Sequence, residues 1–301
     1  MAFISTNNLK GDIFGGVTAG IVALPLALAF GIQAFGGIDA PGASSMGALA
    51  GLVGATLLGF FAAIFGGTHS QISGPTGPMT VITASIVSGA WTAAQQTGLN
   101  TEAAFASVII AMSLAGIFCG LFQILFGVIR IGKYVRYIPY PVLSGFMSGI
   151  GVIIILQQLY PLIGLKSPVL VVDMITEYYD RASEGLSWIA LVLGIGTIVI
   201  VQLFPRLTKK VPSTLVALIV MTVISLFING NFPTIGSIPA GLPLPFFAKE
   251  GIDLNGLDWY TLITNSLVPG LTLAGLGSID TLLTSVVADN ITKTHHNPNR
   301  E

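Results

Sequence analysis

The sequence predicts an all-α polytopic membrane protein, and two observations indicate that class. Hydrophobic residues make up 53% of the 301 residues and charged residues only 8%, whereas soluble globular proteins carry about 25% charged residues. The apolar residues also gather into runs of roughly 20, the length that a helix needs to cross the bilayer core. We therefore expect lipid to surround this chain, and a soluble globular fold is excluded.

Seven long apolar runs and one shorter run give about eight membrane segments. The shorter run, residues 75–90, begins within the sequence Gly-Pro-Thr-Gly-Pro (residues 74–78) and would measure about 24 Å as a helix. We interpret it as a half-helix that begins inside the membrane and crosses the remaining half. The long runs, in chain order, are Ile13–Phe35, Met46–Phe65, Ala103–Ile129, Pro141–Tyr160, Leu186–Phe204, Pro212–Asn229 and Tyr260–Asp289.

The basic residues predict the orientation of these segments. With the N-terminus inside and the half-helix counted as a crossing, nine of the twelve Lys and Arg residues lie inside and three lie outside. Cytoplasmic loops carry such an excess of positive charge. The three outside residues are Lys166, Arg181 and Lys249. The sequence therefore predicts a cytoplasmic N-terminus in a cell (plasma or inner) membrane.

Asp280 is the one acidic residue far from either end of a predicted segment. A carboxylate at that depth costs about 2.5–3.5 kcal/mol, so it should face a partner or a wet cavity. Thr284 lies one turn further on the same helical face, Ser278 could add an oxygen, and Gly275 and Gly277 could loosen nearby carbonyls. Oxygen ligands of this kind suit a hard cation such as sodium. Three alternatives remain: a protonated Asp280, a cap of a broken helix, or a partner outside this chain.

The Gly-Pro stretch before the half-helix predicts a second site. A helix that starts within the bilayer directs free N–H groups and the positive end of its dipole towards the midplane. Two prolines lack donors, whereas Thr76, Gly77, Met79 and Thr80 retain theirs. Broken helices of this kind bind anions in secondary transporters, and the alternative is an ordinary proline-kinked helix start.

Pro25 interrupts the first apolar run near its middle, where freed carbonyls could line the same cavity. The other candidate chemistries find little support. No hydrolase or metalloprotease motif occurs, the net charge of −1 indicates no nucleic-acid partner, and Cys119 is the single cysteine. We expect no enzyme activity, no cofactor and no metal other than a sodium ion.

The same residues carry a resemblance to the sulfate permease (SulP) family of inorganic anion transporters. The likeness extends along nearly the whole chain and is strongest around Pro25, in residues 66–80 and in residues 277–290. Within the family, the sequence is most similar to the sodium-dependent bicarbonate transporters of cyanobacteria. Gly74 departs from that subgroup, which has an acidic residue there.

The resemblance implies two inverted repeats of seven segments, followed by a cytoplasmic STAS domain. The anion would lie between the half-helices of the third and tenth segments, with Thr76 on the anion side and Asp280 and Thr284 as sodium ligands. This chain would hold a single incomplete transport domain over residues 1–301. Its parts would be a first repeat at about 12–230, an extracellular connection at 231–258, and the first helix of the second repeat at about 259–290. We expect it to be a partial product of a longer protein.

The function predicted from these points is sodium-coupled symport of a small oxyanion, bicarbonate first and sulfate second. One alternative is proton-coupled transport of sulfate or a dicarboxylate, with Asp280 taking up the proton. A second alternative is a membrane fragment or scaffold that transports nothing. The expected partners are the anion and the lipid bilayer, and the sequence leaves open a homodimer of the complete protein.

Overall fold

The computed structural model describes residues 8–66, 71–137, 139–168, 171–208, 211–228, 230 and 259–293. This part of the chain contains α-helices and one 3-10 helix (Ile131–Tyr137), and no strand, which confirms the all-α fold class. The helices are α1 (Leu9–Ala34), α2 (Ala43–Phe65), α3 (Gly77–Gln96), α4 (Thr101–Ile129), α5 (Tyr140–Leu162), α6 (Val171–Thr176), α7 (Tyr178–Gly185), α8 (Trp188–Leu207), α9 (Ser213–Phe227) and α10 (Trp259–Thr292).

The eight predicted segments correspond in order to α1, α2, α3, α4, α5, α8, α9 and α10. Six of them (α1, α2, α4, α5, α8 and α10) are long and apolar enough to cross a membrane, and α9 is a shorter apolar helix. The short α6 and α7 lie between α5 and α8. The predicted connection at 231–258 lies outside the described residues.

The half-helix differs from its prediction in length. It was expected at 75–90, but α3 runs from Gly77 to Gln96 and measures about 30 Å. Gly89 does not end it, because Trp91 and Ala94 continue the buried face and pack into a core with Val87, Phe35 and residues of α4. Tertiary packing therefore outweighs the helix-weakening glycine.

Neither Pro25 nor the two glycines near Asp280 interrupts the helix that contains it. Pro25 lies inside the continuous helix α1, so it removes one backbone donor without ending the helix. Gly275 and Gly277 lie inside α10, a single helix of 34 residues. The expected loosening of carbonyls around these two glycines is therefore wrong.

Side-chain caps fix where several helices begin. Asn100 precedes α4, and its side chain accepts a hydrogen bond of 2.8 Å from the Ala103 N–H. Ser187 precedes α8 and accepts from the Ala190 N–H at 3.3 Å. Such bonds satisfy donors that the first turn of a helix cannot pair internally.

Glycines bring α1 and α2 into backbone contact. A β-carbon built on Gly51 would collide with the Ala27 carbonyl, and one built on Gly31 would collide with the Gly47 carbonyl. Only glycine permits this approach, which increases van der Waals contact between helices in lipid.

Helix α10 packs mainly along α4 and more lightly along α3. A β-carbon on Gly270 would come within 2.6 Å of Phe118 Cβ and 3.0 Å of the Ala115 carbonyl oxygen. The buried hydroxyl of Ser266 donates to the Ala111 carbonyl at 3.4 Å. These contacts hold α10 against the helices that also position α3.

Candidate functional site

The N-terminus of α3 is capped in an unusual way. Thr76 occupies the N-cap position in an extended conformation (φ −123°, ψ 150°), but its side chain makes no capping hydrogen bond. A threonine there usually accepts from the amide two or three residues later. Because Thr76 does not, the amides of Gly77 and Met79, at the first and third helical positions, have no partner within the helix.

Thr80 does not contribute a free donor. Its N–H binds the Thr76 carbonyl at 3.0 Å, and its hydroxyl donates to the same oxygen at 2.8 Å. The prediction that the Thr80 amide faces an anion is therefore wrong, because that amide closes the first helical turn. The donors predicted at Gly77 and Met79 remain in place.

The Thr76 side chain lies beside the carboxyl group of Asp280 on α10. Its Oγ1 is buried and has no hydrogen bond of standard geometry to any described group. Asp280 is half-buried, and no Lys or Arg forms an ion pair with it within the described part of the chain. The two predicted sites therefore meet, with the end of α3 next to the carboxylate of α10.

Thr284 lies on the same face of α10 as Asp280, but its hydroxyl donates to the Asp280 backbone carbonyl at 2.8 Å rather than to the carboxylate. That bond uses the hydroxyl hydrogen and leaves the oxygen lone pairs available. Ser278 lies about 160° around the helix from Asp280, so helix geometry does not place it with the other two oxygens.

The register of α3 against α10 is fixed by Gly277, one turn before Asp280. A β-carbon there would come within 2.8 Å of Met79 Cε and 3.1 Å of Gln123 Nε2. Thr76 thus lies opposite Asp280 and Met79 opposite Gly277, as in an antiparallel pair. Gln123, a polar residue within the apolar run of α4, was not predicted as part of this site.

A second contact joins α10 to the segment that precedes α3. The fully buried Ser285 donates to Gln71 Oε1 at 2.7 Å. Residues 71–76 have no helical or strand structure, so this hydrogen bond anchors them to α10 about one and a half turns beyond Asp280. Sequence reasoning missed Gln71, and a polar residue beside a Gly-Pro stretch was the available signal.

Pro25 lies apart from this arrangement. Helix α1 packs on α3, but the described contacts include none between Pro25 and Thr76 or Asp280.

A cavity of about 470 Å³ lies between the C-terminal part of α3 and the N-terminal parts of α4 and α10, with Ser85, Ser107 and Asn265 in its walls. It contains neither Thr76 nor Asp280, so it is not the predicted site.

The geometry offers two complementary kinds of group side by side. The amides of Gly77 and Met79 and the positive end of the α3 dipole favour an anion. The Asp280 carboxylate and the oxygens of Thr76 and Thr284 form a set of hard ligands, which a cation such as sodium prefers. The buried Thr76 oxygen beside the carboxylate fits this second role, since a buried polar atom ordinarily has a partner.

Comparison with known proteins gives consistent matches over the whole chain. The sulfate permease family matches residues 9–301. The bicarbonate transporter BicA of Picosynechococcus sp. is 41% identical over 99% of this chain and 49% of its own length. BicA of Synechocystis sp. is 42% identical over 99% of this chain and 48% of its own length. The chain thus spans about half the length of these relatives.

A solved structure shows the same fold. The transmembrane domain of a cyanobacterial bicarbonate transporter BicA superposes with a TM-score of 0.75 at 40% identity, covering 99% of this chain and 70% of that domain. The apolar helices, the N-terminus of α3 beside Asp280 and the family match over residues 9–301 lead to one conclusion. This multi-pass membrane protein belongs to the sulfate permease family.

Proposed function

We propose that this chain forms part of a sodium-coupled symporter of a small inorganic oxyanion, with bicarbonate as the first candidate. The observation that carries the proposal is the Thr76 hydroxyl, which leaves the α3 amides uncapped and lies instead beside Asp280. The anion would bind the Gly77 and Met79 amides, and sodium would bind Asp280, Thr284 and Thr76.

Electrostatics supplies the coupling between the two ions. With its site empty, the Asp280 carboxylate repels an anion at the adjacent end of α3. A sodium ion removes that repulsion, so each ion raises the affinity of the site for the other by the same factor. Movement of one helix group against another would then expose the loaded site on the opposite side.

The choice of bicarbonate rests on similarity, because both relatives described above are named as bicarbonate transporters. Proton-coupled transport of sulfate or a dicarboxylate is the second candidate. It is favoured by the absence of a cationic partner for Asp280 in the described residues, since such a carboxylate could bind a proton instead of sodium. Replacing sodium by choline at fixed pH separates the two candidates.

We also propose the membrane in which the chain lies, its orientation and its place in the complete transporter. The protein would lie in the plasma or inner membrane with its N-terminus in the cytoplasm, and α10 would be the first helix of a second repeat. A homodimer of the complete transporter is compatible with this arrangement. The remaining half of the anion site would come from residues beyond the matched half of the relatives.

The test is uptake of labelled bicarbonate and sulfate into proteoliposomes. We would compare the 301-residue chain with a chimera that joins it to the unmatched part of the Picosynechococcus relative, each with sodium or choline outside. Asp280→Asn should abolish sodium dependence in the form that transports. Asp12→Asn, an exposed carboxylate in the first turn of α1, is the control.

Each outcome decides between the candidates. Sodium-driven uptake that is lost in Asp280→Asn and kept in Asp12→Asn supports the proposal. Uptake driven equally well in choline by a pH gradient supports proton coupling. If neither form moves either anion, the chain is better described as a scaffold or fragment, and the symport proposal fails.

A further inference from the structure

One buried polar side chain near the α3 N-terminus has no role in the site described above. Gln157 on α5 is only 1% exposed, and its Oε1 has no hydrogen-bond partner among the residues that the structure describes. A buried carboxamide oxygen without a hydrogen-bond partner is unfavourable, because its desolvation is uncompensated. A bound ligand with a hydrogen-bond donor would satisfy this oxygen.

The neighbours of Gln157 place it near the anion-side end of α3. One turn earlier on α5, Ile154 touches the first residue of α3, since a β-carbon on Gly77 would come within 2.9 Å of Ile154 Cγ1. One turn later, the fully buried Tyr160 donates to the Met174 carbonyl at 3.2 Å. Gln157 thus lies between the contact with α3 and the contact with α6.

The direction of a helical side chain brings the carboxamide closer to α3. Long side chains in an α-helix lean towards its N-terminus and cover the preceding turn. For Gln157, that turn contains Ile154, whose side chain lies against Gly77 at the start of α3. We infer that the Gln157 carboxamide is directed into the space where the free amides at the start of α3 would bind an anion.

A carboxamide has a property that the α3 amides lack, because it both donates and accepts hydrogen bonds. Hydrogen carbonate also carries both kinds of group, namely acceptor oxygens and one O–H donor. Nitrate has the same planar shape and single charge but no hydrogen, and sulfate carries none at neutral pH. An acceptor placed beside the anion therefore separates hydrogen carbonate from both.

We propose that Gln157 is a specificity-determining residue that recognises the hydroxyl group of a protonated oxyanion, hydrogen carbonate, through Oε1. This assignment rests on the proposed anion site at the α3 N-terminus. In it, the backbone amides of Gly77 and Met79 bind the charged oxygens, and Gln157 accepts the hydrogen bond of the third oxygen. One hydrogen bond to a charged ligand changes affinity by about tenfold.

The experiment measures how sodium bicarbonate and sodium nitrate, at equal concentrations and fixed mildly alkaline pH, raise the unfolding temperature of the purified protein. A ligand that binds only the folded state stabilises it by RT ln(1 + [L]/Kd), so at equal concentrations the anion that binds more tightly gives the larger shift. The protein used is the form, chain or chimera, that transports in the uptake assay, or the chimera if neither transports. Wild type is compared with Gln157→Met, which keeps the length of the side chain, and with Gln158→Met, the exposed neighbour.

The expected result is a preference for bicarbonate over nitrate of about tenfold in wild type and Gln158→Met, lost in Gln157→Met. Equal affinity of wild type for the two anions overturns the assignment without any variant. An unchanged preference in Gln157→Met also overturns it, while the anion site stands. If no anion stabilises wild type, the anion site itself fails, and the Gln157 assignment fails with it.

Discussion

Met79 of α3 lies directly over Gly277 of α10, so that a β-carbon on this glycine would come within 2.8 Å of Met79 Cε. Asp280 and Thr76 follow one turn away on the respective helices. The distance between the carboxylate and the free amides of α3 is therefore set by the absence of a side chain at Gly277. Small changes at this contact should alter the relation between the two proposed ion sites.

Gly277→Ala should disturb this contact more than the same change two residues earlier. The new methyl group must displace Met79 and Gln123, at a cost near the lower end of about 1–3 kcal/mol because the methionine end is flexible. Gly275→Ala meets no atom within 4 Å and should stabilise α10 by up to about 1 kcal/mol. Thermal unfolding in detergent measures both, and equal effects would contradict the proposed contact.

Thr284→Val should weaken sodium activation, because it removes the oxygen that we place on the cation. We expect the sodium concentration for half-maximal uptake to rise about tenfold or more, with Thr284→Ser close to wild type. Thr272→Val is the matched control, since Thr272 on α10 makes the same bond to a carbonyl four residues earlier and is exposed. A similar rise in that control would indicate a general effect of losing the hydroxyl.

The Gln71–Ser285 hydrogen bond should appear as an energetic coupling between the segment before α3 and α10. A double-mutant cycle of Gln71→Leu and Ser285→Ala measures it directly, although the single hydroxyl hydrogen of Ser285 is shared with the Thr281 carbonyl at 2.9 Å. We expect a coupling of about 0.5–1.5 kcal/mol in the free energy of unfolding. Additive effects of the two substitutions would show that the bond does not anchor this segment.

Gly51→Ala should separate α1 from α2, because its β-carbon would collide with the main-chain carbonyl of Ala27. Backbone cannot move aside as a methionine does, so we expect destabilisation near the upper end of about 1–3 kcal/mol. Gly54→Ala, on the same helix, has no atom within 4 Å of the added carbon. Its unfolding temperature should equal or exceed that of wild type.

The sequence was sufficient to predict the membrane class and the order of the segments, whereas the meeting of the Gly-Pro stretch with Asp280 was what the family resemblance implied. Composition and run length determine the first two, because a bilayer admits few architectures. Hydropathy could not show where α3 ends, since Trp91 and Ala94 extend the helix by packing against other segments. Nor could it show that the Thr80 amide is used within the first turn.

The main structural features that could not be predicted from the sequence are the contacts between residues that are distant in the chain. Gly47 and Gly51 have the same spacing as Gly116 and Gly120, yet only the first pair approaches another helix in the described residues. Likewise, Gln158 differs from its neighbour Gln157 only in which face of α5 it occupies. Such distinctions depend on tertiary packing, which a single sequence does not encode in its local pattern.

The length of α10 has a consequence for the surrounding lipid. Its 34 residues measure about 51 Å, whereas the hydrocarbon core is about 30 Å thick. The helix must tilt or extend beyond the core, and a thinner bilayer demands a steeper tilt. Because Asp280 lies on this helix, its depth and its exposure to water should vary with acyl-chain length. Membrane composition would thus be a means of adjusting the affinity of the proposed sodium site without any change in sequence.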